Sequence, residues 1–363
     1  MKILICAESF YPEINGVSSV LTNLTKELSK KNITISVATK KILNRKKLII
    51  NKKKIIVHEF DISGNSVKGF KGNKIEYIDF LKNSKFDIYF FYAAQQWSFD
   101  LALPILNGSD KKICFVPCGF SRLNNFFYKE YFRNIFKVIK NFNSVIFHSK
   151  NYQDYIVCKK NNVKNLSIIS NGANPYKVFN KNRSNSILIV SEIKFNKGLE
   201  RSLCALLISR VNNVQLNIYS QKKPSSFNLY FLIIKFLIFL LKNKGIITNL
   251  KYGFRENQIK KVRSKSRIFL FGSRLECSPL VLYEAASSGL PFISFRAGNS
   301  AEIAKKTGAG ITVNNIGEMA KVINKLFFNK KLNMKLSSNG IKNSSKFSWK
   351  KIAMFYLKIF RSI

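Results

Sequence analysis

Two glutamates eight positions apart, Glu276 and Glu284, enclose the run Cys277-Ser-Pro-Leu-Val-Leu-Tyr283. Ser278 followed by Pro279 reads as a helix N-cap and first helical position. Gly289 and Pro291 read as the stop, and Phe292–Phe295 as the next strand. On this reading Glu276 lies in a loop and Glu284 about one and a half turns inside the helix. Between them the amides of Leu280 and Val281 are left without partners at a helix N-terminus, a place that suits a phosphate. A carboxylate on either side of a phosphate can hold the hydroxyls of a sugar or a ribose. By spacing alone, the same residues also describe a capped helix carrying two solvated acids.

The elements that must position these residues alternate along the chain. Lys2–Ala7, Ile33–Ala38, Asp87–Phe91, Ile113–Val116, Ser144–Phe147 and Leu166–Ile169 read as strands. Val17–Lys30, Phe126–Phe142 and Lys150–Lys160 read as helices. Asn180–Ser186 is polar and unpatterned and reads as a linker. A second set of strands follows at Ile187–Ser191, Gln215–Tyr219, Arg267–Phe271, Phe292–Phe295 and Gly310–Val313, and a helix at Ser348–Phe360 closes the chain. Strand–helix alternation at this spacing predicts parallel, doubly wound sheets. Ligands of such sheets bind at the carboxyl ends of the strands. No Gly-x-Gly-x-x-Gly is present, which disfavours a dinucleotide oxidoreductase.

Composition bounds the partners. The 363 residues suffice for two domains, and the net charge is +43. AT-rich coding bias explains part of that excess of lysine, but the field still favours anionic partners. Lys40–Lys54 holds eight basic residues in fifteen. On the predicted helix Phe126–Phe142 an apolar stripe (Tyr128, Tyr131, Phe132, Ile135, Ile139, Phe142) lies opposite Lys129, Arg133, Lys137 and Lys140. That pattern fits a core-facing helix and also a contact with an anionic membrane surface. Lysine outnumbers arginine and no recognition motif is present, so nucleic acid is not expected. The six cysteines form no Cys-x-x-Cys pair and only two histidines exist, so no metal site is expected. The apolar N-terminal run is too short for a signal peptide, and a cytoplasmic location, with peripheral attachment to the inner membrane face as an option, is expected. Phe227–Leu241 is the most hydrophobic stretch. It falls short of a membrane span and reads as a buried or half-buried helix rather than an interfacial anchor.

The segment Ser273-Arg-Leu-Glu276-Cys-Ser-Pro279-Leu-Val-Leu-Tyr-Glu284-Ala-Ala-Ser-Ser-Gly289-Leu-Pro291, continued by Gly298-Asn-Ser-Ala-Glu302-Ile, resembles the C-terminal hallmark of retaining GT-B glycosyltransferases of family 4. The resemblance implies an α/β GT-B fold: two doubly wound domains with a cleft between them and a C-terminal crossover helix. The domains would be residues 1–180 on the acceptor side and 181–345 for the donor, with 346–363 returning to the first domain. It implies transfer of a sugar from a nucleotide-sugar donor to a hydroxyl acceptor, a glycan or lipid-linked glycan in cell-surface polysaccharide or glycolipid synthesis, with no metal or other cofactor. Glu276 would orient the donor sugar and Glu284 the ribose, while the leaving phosphate helps deprotonate the acceptor.

Further residues follow from that register. Gly16, in the loop Phe10–Val17, stands where the family brings a diphosphate to a helix start, with Asn15 in place of a first glycine. Lys197-Gly198 matches the family's Lys-Gly, and Lys197 would neutralise the leaving diphosphate. The usual Gly-Arg before it is Ser191-Glu192, which puts an anion beside the expected phosphate and leaves Lys194 or Arg274 to offset it. Cys118 stands where many relatives have histidine near the transferred sugar. It also reads as a small buried hydrophobe. His148 reads as structural. Two other readings remain open at this stage: a nucleotide-sugar 2-epimerase of the same fold, and a non-catalytic scaffold or membrane adaptor.

Overall fold

The structure is a computed structural model that describes residues 1–45, 49–50, 53–176 and 183–363. It divides into two compact units: Met1–Ser170 together with Trp349–Ile363, and Asn171–Ser348. The division falls earlier than the 180/181 boundary read from the sequence. Asn171 and Ala173 are already tied into the second unit, through Asn171 Nδ2 to the Ser278 carbonyl at 3.2 Å and Ala173 N–H to the Phe347 carbonyl at 3.0 Å. Of the expected linker Asn180–Ser186, residues 180–182 lie outside the described residues.

The first unit carries a seven-stranded parallel sheet. Its strands are β1 (Lys2–Cys6), β2 (Thr34–Lys40), β3 (Ile56–Phe60), β4 (Ile88–Tyr92), β5 (Ile113–Val116), β6 (Ser144–Phe147) and β7 (Leu166–Ile168), in the order β7-β6-β5-β4-β1-β2-β3. Strand β4 (Ile-Tyr-Phe-Phe-Tyr) is buried along its whole length, as a parallel strand covered on both faces must be. Helix α1 (Gly16–Leu28) follows β1 and buries Val20, Leu21, Leu24 and Leu28. Helix α2 (Lys129–Ile139) turns Tyr131, Phe132, Ile135, Phe136 and Ile139 into the core, so the apolar stripe read there is a packing face. The expected start of that helix, Phe126–Tyr128, is a separate 3₁₀ turn whose Phe126 and Phe127 are exposed.

The second unit carries β8 (Ser186–Val190), β9 (Val214–Ser220), β10 (Ile246–Tyr252), β11 (Ile268–Phe271), β12 (Phe292–Phe295) and β13 (Gly310–Val313) in a parallel sheet of order β10-β9-β8-β11-β12-β13. Helices α3 (Leu199–Ile208), α4 (Leu229–Asn243), α5 (Glu256–Lys265) and α6 (Leu280–Ser287) connect them. The final helix α7 (Trp349–Ser362) belongs to the first unit, where Phe90 of β4 meets Tyr356 and Phe360 edge-on at 5.6 and 5.3 Å. Each sheet has one point where the strand order reverses: between β1 and β4 in the first unit and between β8 and β11 in the second. Doubly wound sheets bind ligands at such points.

Candidate active site

The loops after β8 and β11 meet at the second unit's switch point because two glycines let them. Gly198 has φ of +54°, and a Cβ there would lie 2.2 Å from the Gly272 carbonyl oxygen. A Cβ on Gly272 would in turn lie 2.0 Å from the Gly198 carbonyl oxygen. Any larger residue would push the two loops apart. The approach is stitched by the Asn196 carbonyl, which accepts from Arg274 N–H at 2.9 Å and Ser273 Oγ at 3.2 Å. A third loop joins after β12. Gly298, at φ +57°, has room for no Cβ beside the Cys277 carbonyl, to which Asn299 N–H donates at 3.0 Å.

This close approach brings Lys197 and Glu276, distant in sequence, into an ion pair with Nζ 2.7 Å from Oε1. Ser273 Oγ donates to the same oxygen at 2.9 Å. Oε1 is thus anchored twice, and Oε2 carries no bond from the described residues. The carboxylate is oriented while half of it stays available.

Other cations lie close by in sequence on the same loops and at the start of α3. Arg274 bonds Glu200 at 2.5 Å, donates to the Phe195 carbonyl at 2.9 Å and lies 4.2 Å over the Phe195 ring. Arg201 lies 3.3 Å over the ring of Phe295 and donates to the Gly272 carbonyl at 3.2 Å. Burial, with Arg274 nearby, lowers the Arg201 pKa from its usual value. The anion that the sequence places at Glu192 is met by Lys194, 2.6 Å away.

Helix α6 starts one residue later than expected. Pro279, not Ser278, is its N-cap, with extended backbone and no side-chain cap bond. Ser278 serves the scaffold instead: its Oγ accepts from Asn299 Nδ2 at 3.2 Å and its carbonyl from Asn171. Leu280 and Val281 open the helix uncapped by a side chain, which leaves its positive end available to an anion. Glu284, in the body of α6, bonds through Oε2 to buried Arg263 of α5, and its Oε1 carries no bond from the described residues. Among the described residues Glu276 and Glu284 therefore each have one oxygen held and one without a bond, and they are held by different elements.

The first unit's switch point has a different lining. A pocket of about 460 Å³ is bounded by Glu8, Ser9, Glu13, Asn15, Gly16, Val17, Lys40 and Gln96. Asn15 caps α1 by accepting from Ser18 N–H at 3.0 Å and donates to Ser9 Oγ, which in turn donates to Glu13 Oε2. A Cβ on Gly16 would meet nothing within 4 Å, so this glycine leaves open space over the helix start rather than satisfying a packing need. Burial raises the Glu8 pKa, Lys40 opposes that shift, and Glu13 and Asp100 reinforce it. Asp100, buried, accepts from Tyr131 OH at 2.8 Å and Ser66 N–H at 3.0 Å, and its pKa is pushed up to about 6, chiefly by desolvation. Ala93, Gln95, Cys118 and Arg122, in the loops after β4 and β5, all have positive φ. Such strain gathers at functional sites. Burial pushes the Cys118 thiol well up despite its hydrogen bond to Tyr92, so it is unsuited to acid–base work near neutrality. Tyr92 OH lies 3.2 Å from His148 Nε2, and His148 Nδ1 lies 2.8 Å from the Ile169 carbonyl; His148 is buried and structural.

Comparison with known proteins finds a similarity that lies in the second unit. Residues 173–343 match the model of glycosyl transferases group 1. That match spans slightly under half of the chain, all of it in the second unit. Among curated proteins, the chain is 26% identical over 207 residues to an uncharacterized glycosyltransferase, MJ1178, of Methanocaldococcus jannaschii, covering 56% of this chain and 55% of that one. A probable sucrose-phosphate synthase of Oryza sativa subsp. japonica is 35% identical over 92 residues, 25% of this chain and 9% of the rice protein. The alignments thus span about half and about a tenth of these relatives. A sucrose-phosphate synthase structure from Thermosynechococcus elongatus superimposes with a TM-score of 0.78 at 14% identity, covering 99% of this chain and 98% of that one. HepE of Anabaena, solved in complex with UDP, gives 0.76 at 15% identity with full coverage of both chains. The fold is GT-B.

Within residues 173–343 the structure joins Lys197 to Glu276, while Arg274 pairs with Glu200 and Glu284 with Arg263. Gly16, Asn15 and Cys118 belong to the first unit. Sequence reasoning missed Arg201, Arg263 and Glu200, which precede or follow no motif residue at a telling distance. It also missed Glu8, Gln96 and Asp100. The one available signal for the last three was position, since each follows closely on a strand's carboxyl end.

Proposed function

We propose that the protein is a retaining, metal-independent glycosyltransferase of family 4 type. It moves a sugar from a nucleotide-sugar donor to a hydroxyl of a glycan or lipid-linked acceptor in cell-surface polysaccharide or glycolipid synthesis, at the cytoplasmic membrane face. The observation that carries this reading is Glu276, anchored on Lys197 and Ser273 at the switch point of a group 1 domain. When the donor arrives, Lys197 and the positive end of α6 neutralise the diphosphate, and the open oxygen of Glu276 holds a sugar hydroxyl. Glu284, fixed by Arg263, presents its second oxygen to the ribose. The bond from anomeric carbon to phosphate oxygen breaks, the acceptor oxygen bonds that carbon on the same face, and the acceptor's proton passes to the departing phosphate.

The first unit's pocket supports the acceptor side. Its lining of Glu8, Glu13, Ser9 and Asn15 accepts and donates to hydroxyls, and two carboxylates against Lys40 suit a sugar better than a second phosphate. The structural neighbour solved with UDP makes uridine nucleotides the first donors to try. The test is donor consumption in excess chelator, with candidate donors ranked beforehand by thermal shift, since a ligand that binds only the native state raises stability by mass action. Slow hydrolysis or transfer under chelation is expected. Activity that vanishes on chelation and returns with manganese or magnesium refutes metal independence, and absence of any donor binding refutes the transferase reading.

A further inference from the structure

Helix α4 is apolar on two opposite sides. Phe231, Ile234, Leu237 and Leu241 face the core. On the outward side Leu229, Leu232, Ile233, Phe236 and Phe239 are between 45% and 75% exposed, and Phe227, just before the helix, is 94% exposed. These positions recur at intervals of three and four, so they form one continuous stripe diametrically opposed to the buried one. A soluble helix ordinarily carries polar residues there. The helix adjoins β10, an edge strand, whose Ile247 is also exposed.

The surrounding charge is of one sign. From Gln221 to Lys251 the chain has six lysines and no carboxylate. Lys244 is used internally, donating to the carbonyls of Leu206 and Leu207 at 2.9 and 2.6 Å. Lys222, Lys223, Lys235, Lys242 and Lys251 are exposed. Fifteen residues of helix span about 22 Å, short of the roughly 30 Å of a hydrocarbon core. Among the described residues no helix is long and apolar enough to cross a membrane. A second copy of the chain is a poor occupant, because two molecules each carrying +43 repel. An anionic bilayer matches both features: acyl chains for the stripe and phosphate headgroups for the lysines around it.

We infer that the outward face of α4, with the lysines around it, docks the second unit onto an anionic lipid surface, the helix lying in the plane of the interface. This stands independently of the transferase reading and requires no donor. The sequence favoured a buried or half-buried helix here, since its own periodicity does not separate the two apolar sides.

The full chain is tested by flotation with vesicles of phosphatidylcholine alone and of two parts phosphatidylcholine to one part phosphatidylglycerol, at low and high salt. Binding is expected on the anionic vesicles, weaker on the neutral ones, and reduced by salt. The double substitution Phe236→Ser with Phe239→Ser should lower binding roughly a hundredfold with an unchanged melting transition. A Phe236→Trp variant should show a blue-shifted emission on anionic vesicles; both native tryptophans, Trp97 and Trp349, are buried and supply a constant background. Undiminished binding of the double variant, or no shift for the tryptophan, overturns the proposal in favour of charge adsorption elsewhere. So does sedimentation of the wild type as a dimer that the double variant dissociates, which would make the face a protein interface. Donor turnover measured without vesicles is unaffected by any of these results and separates this proposal from the catalytic one.

Discussion

At the switch point of the second unit both glutamates are paired: Glu276 with Lys197 and Glu284 with Arg263. At that of the first unit Glu8 and Asp100 make no ion pair among the described residues, and burial raises the pKa of both. The topology is the same and the electrostatics are opposite. In the second unit close-packed glycines press loops together, so that Lys197 and Glu276 meet at hydrogen-bond distance and hold one another oriented. In the first, acids are withdrawn from water, which raises the pKa of both, and Lys40 opposes that shift at Glu8. On the proposed reading, the paired charges suit a highly charged donor and the buried acids suit neutral hydroxyls.

The sharpest break in the comparison comes from the paired acids. If Glu276 works on the sugar, Glu276→Ala lowers turnover roughly a hundred- to a thousandfold while nucleotide diphosphate affinity, read by calorimetry, stays near wild type. Glu284→Ala should instead weaken nucleotide diphosphate binding about ten- to a hundredfold. It should also lower stability, because Arg263 is left buried without its carboxylate. Normal turnover and normal binding in both variants would make α6 purely structural.

Next comes the device that assembles the pair. Gly198→Ala combines a left-handed backbone with a contact of 2.2 Å to the Gly272 carbonyl. It is expected to cost about 2–4 kcal/mol in a denaturant titration and to lower turnover as Lys197 moves off Glu276. Gly16→Ala, which meets open space, should leave stability within about 1 kcal/mol. Equal losses from the two glycines would contradict the distinction drawn between them.

The smallest effect tests the unpaired acids. The folded pKa of Asp100 is about 6, above an unfolded value of about 3.9. The protonated form therefore contributes stability in full below the unfolded value, and that contribution is lost as pH rises through about 6. The stability of the wild type minus that of Asp100→Asn should fall by roughly 2–3 kcal/mol between pH 4 and pH 7 and be level above it. A difference that instead grows with pH would mean Asp100 is held ionised, and the contrast between the two units would collapse.

Much of this was legible in the chain. Strands Ile113–Val116, Ser144–Phe147, Phe292–Phe295 and Gly310–Val313 were read to the residue, because buried parallel strands are short apolar runs between turn signals. Two edge strands, β3 and β10, were not. β3 carries His58 and Glu59, and β10 carries Thr248, Asn249 and Lys251, since an edge tolerates polar residues that an interior strand excludes. The start of α6 was misread because Ser278 looks like a cap, whereas its hydroxyl and carbonyl are engaged by Asn299 and Asn171.

The sequence by itself determined the two doubly wound sheets and the family-like run from Ser273 to Ile303, because these depend on local pattern and residue type. Only the tertiary structure decided which cation meets which acid, for Lys197 and Glu276 or Arg263 and Glu284 are brought together by loop approach and helix packing rather than by proximity along the chain. It alone decided that one apolar side of α4 is buried and the other bare. A helix apolar all round contains no mark of which side its neighbours will cover; the sheet it packs on makes that choice.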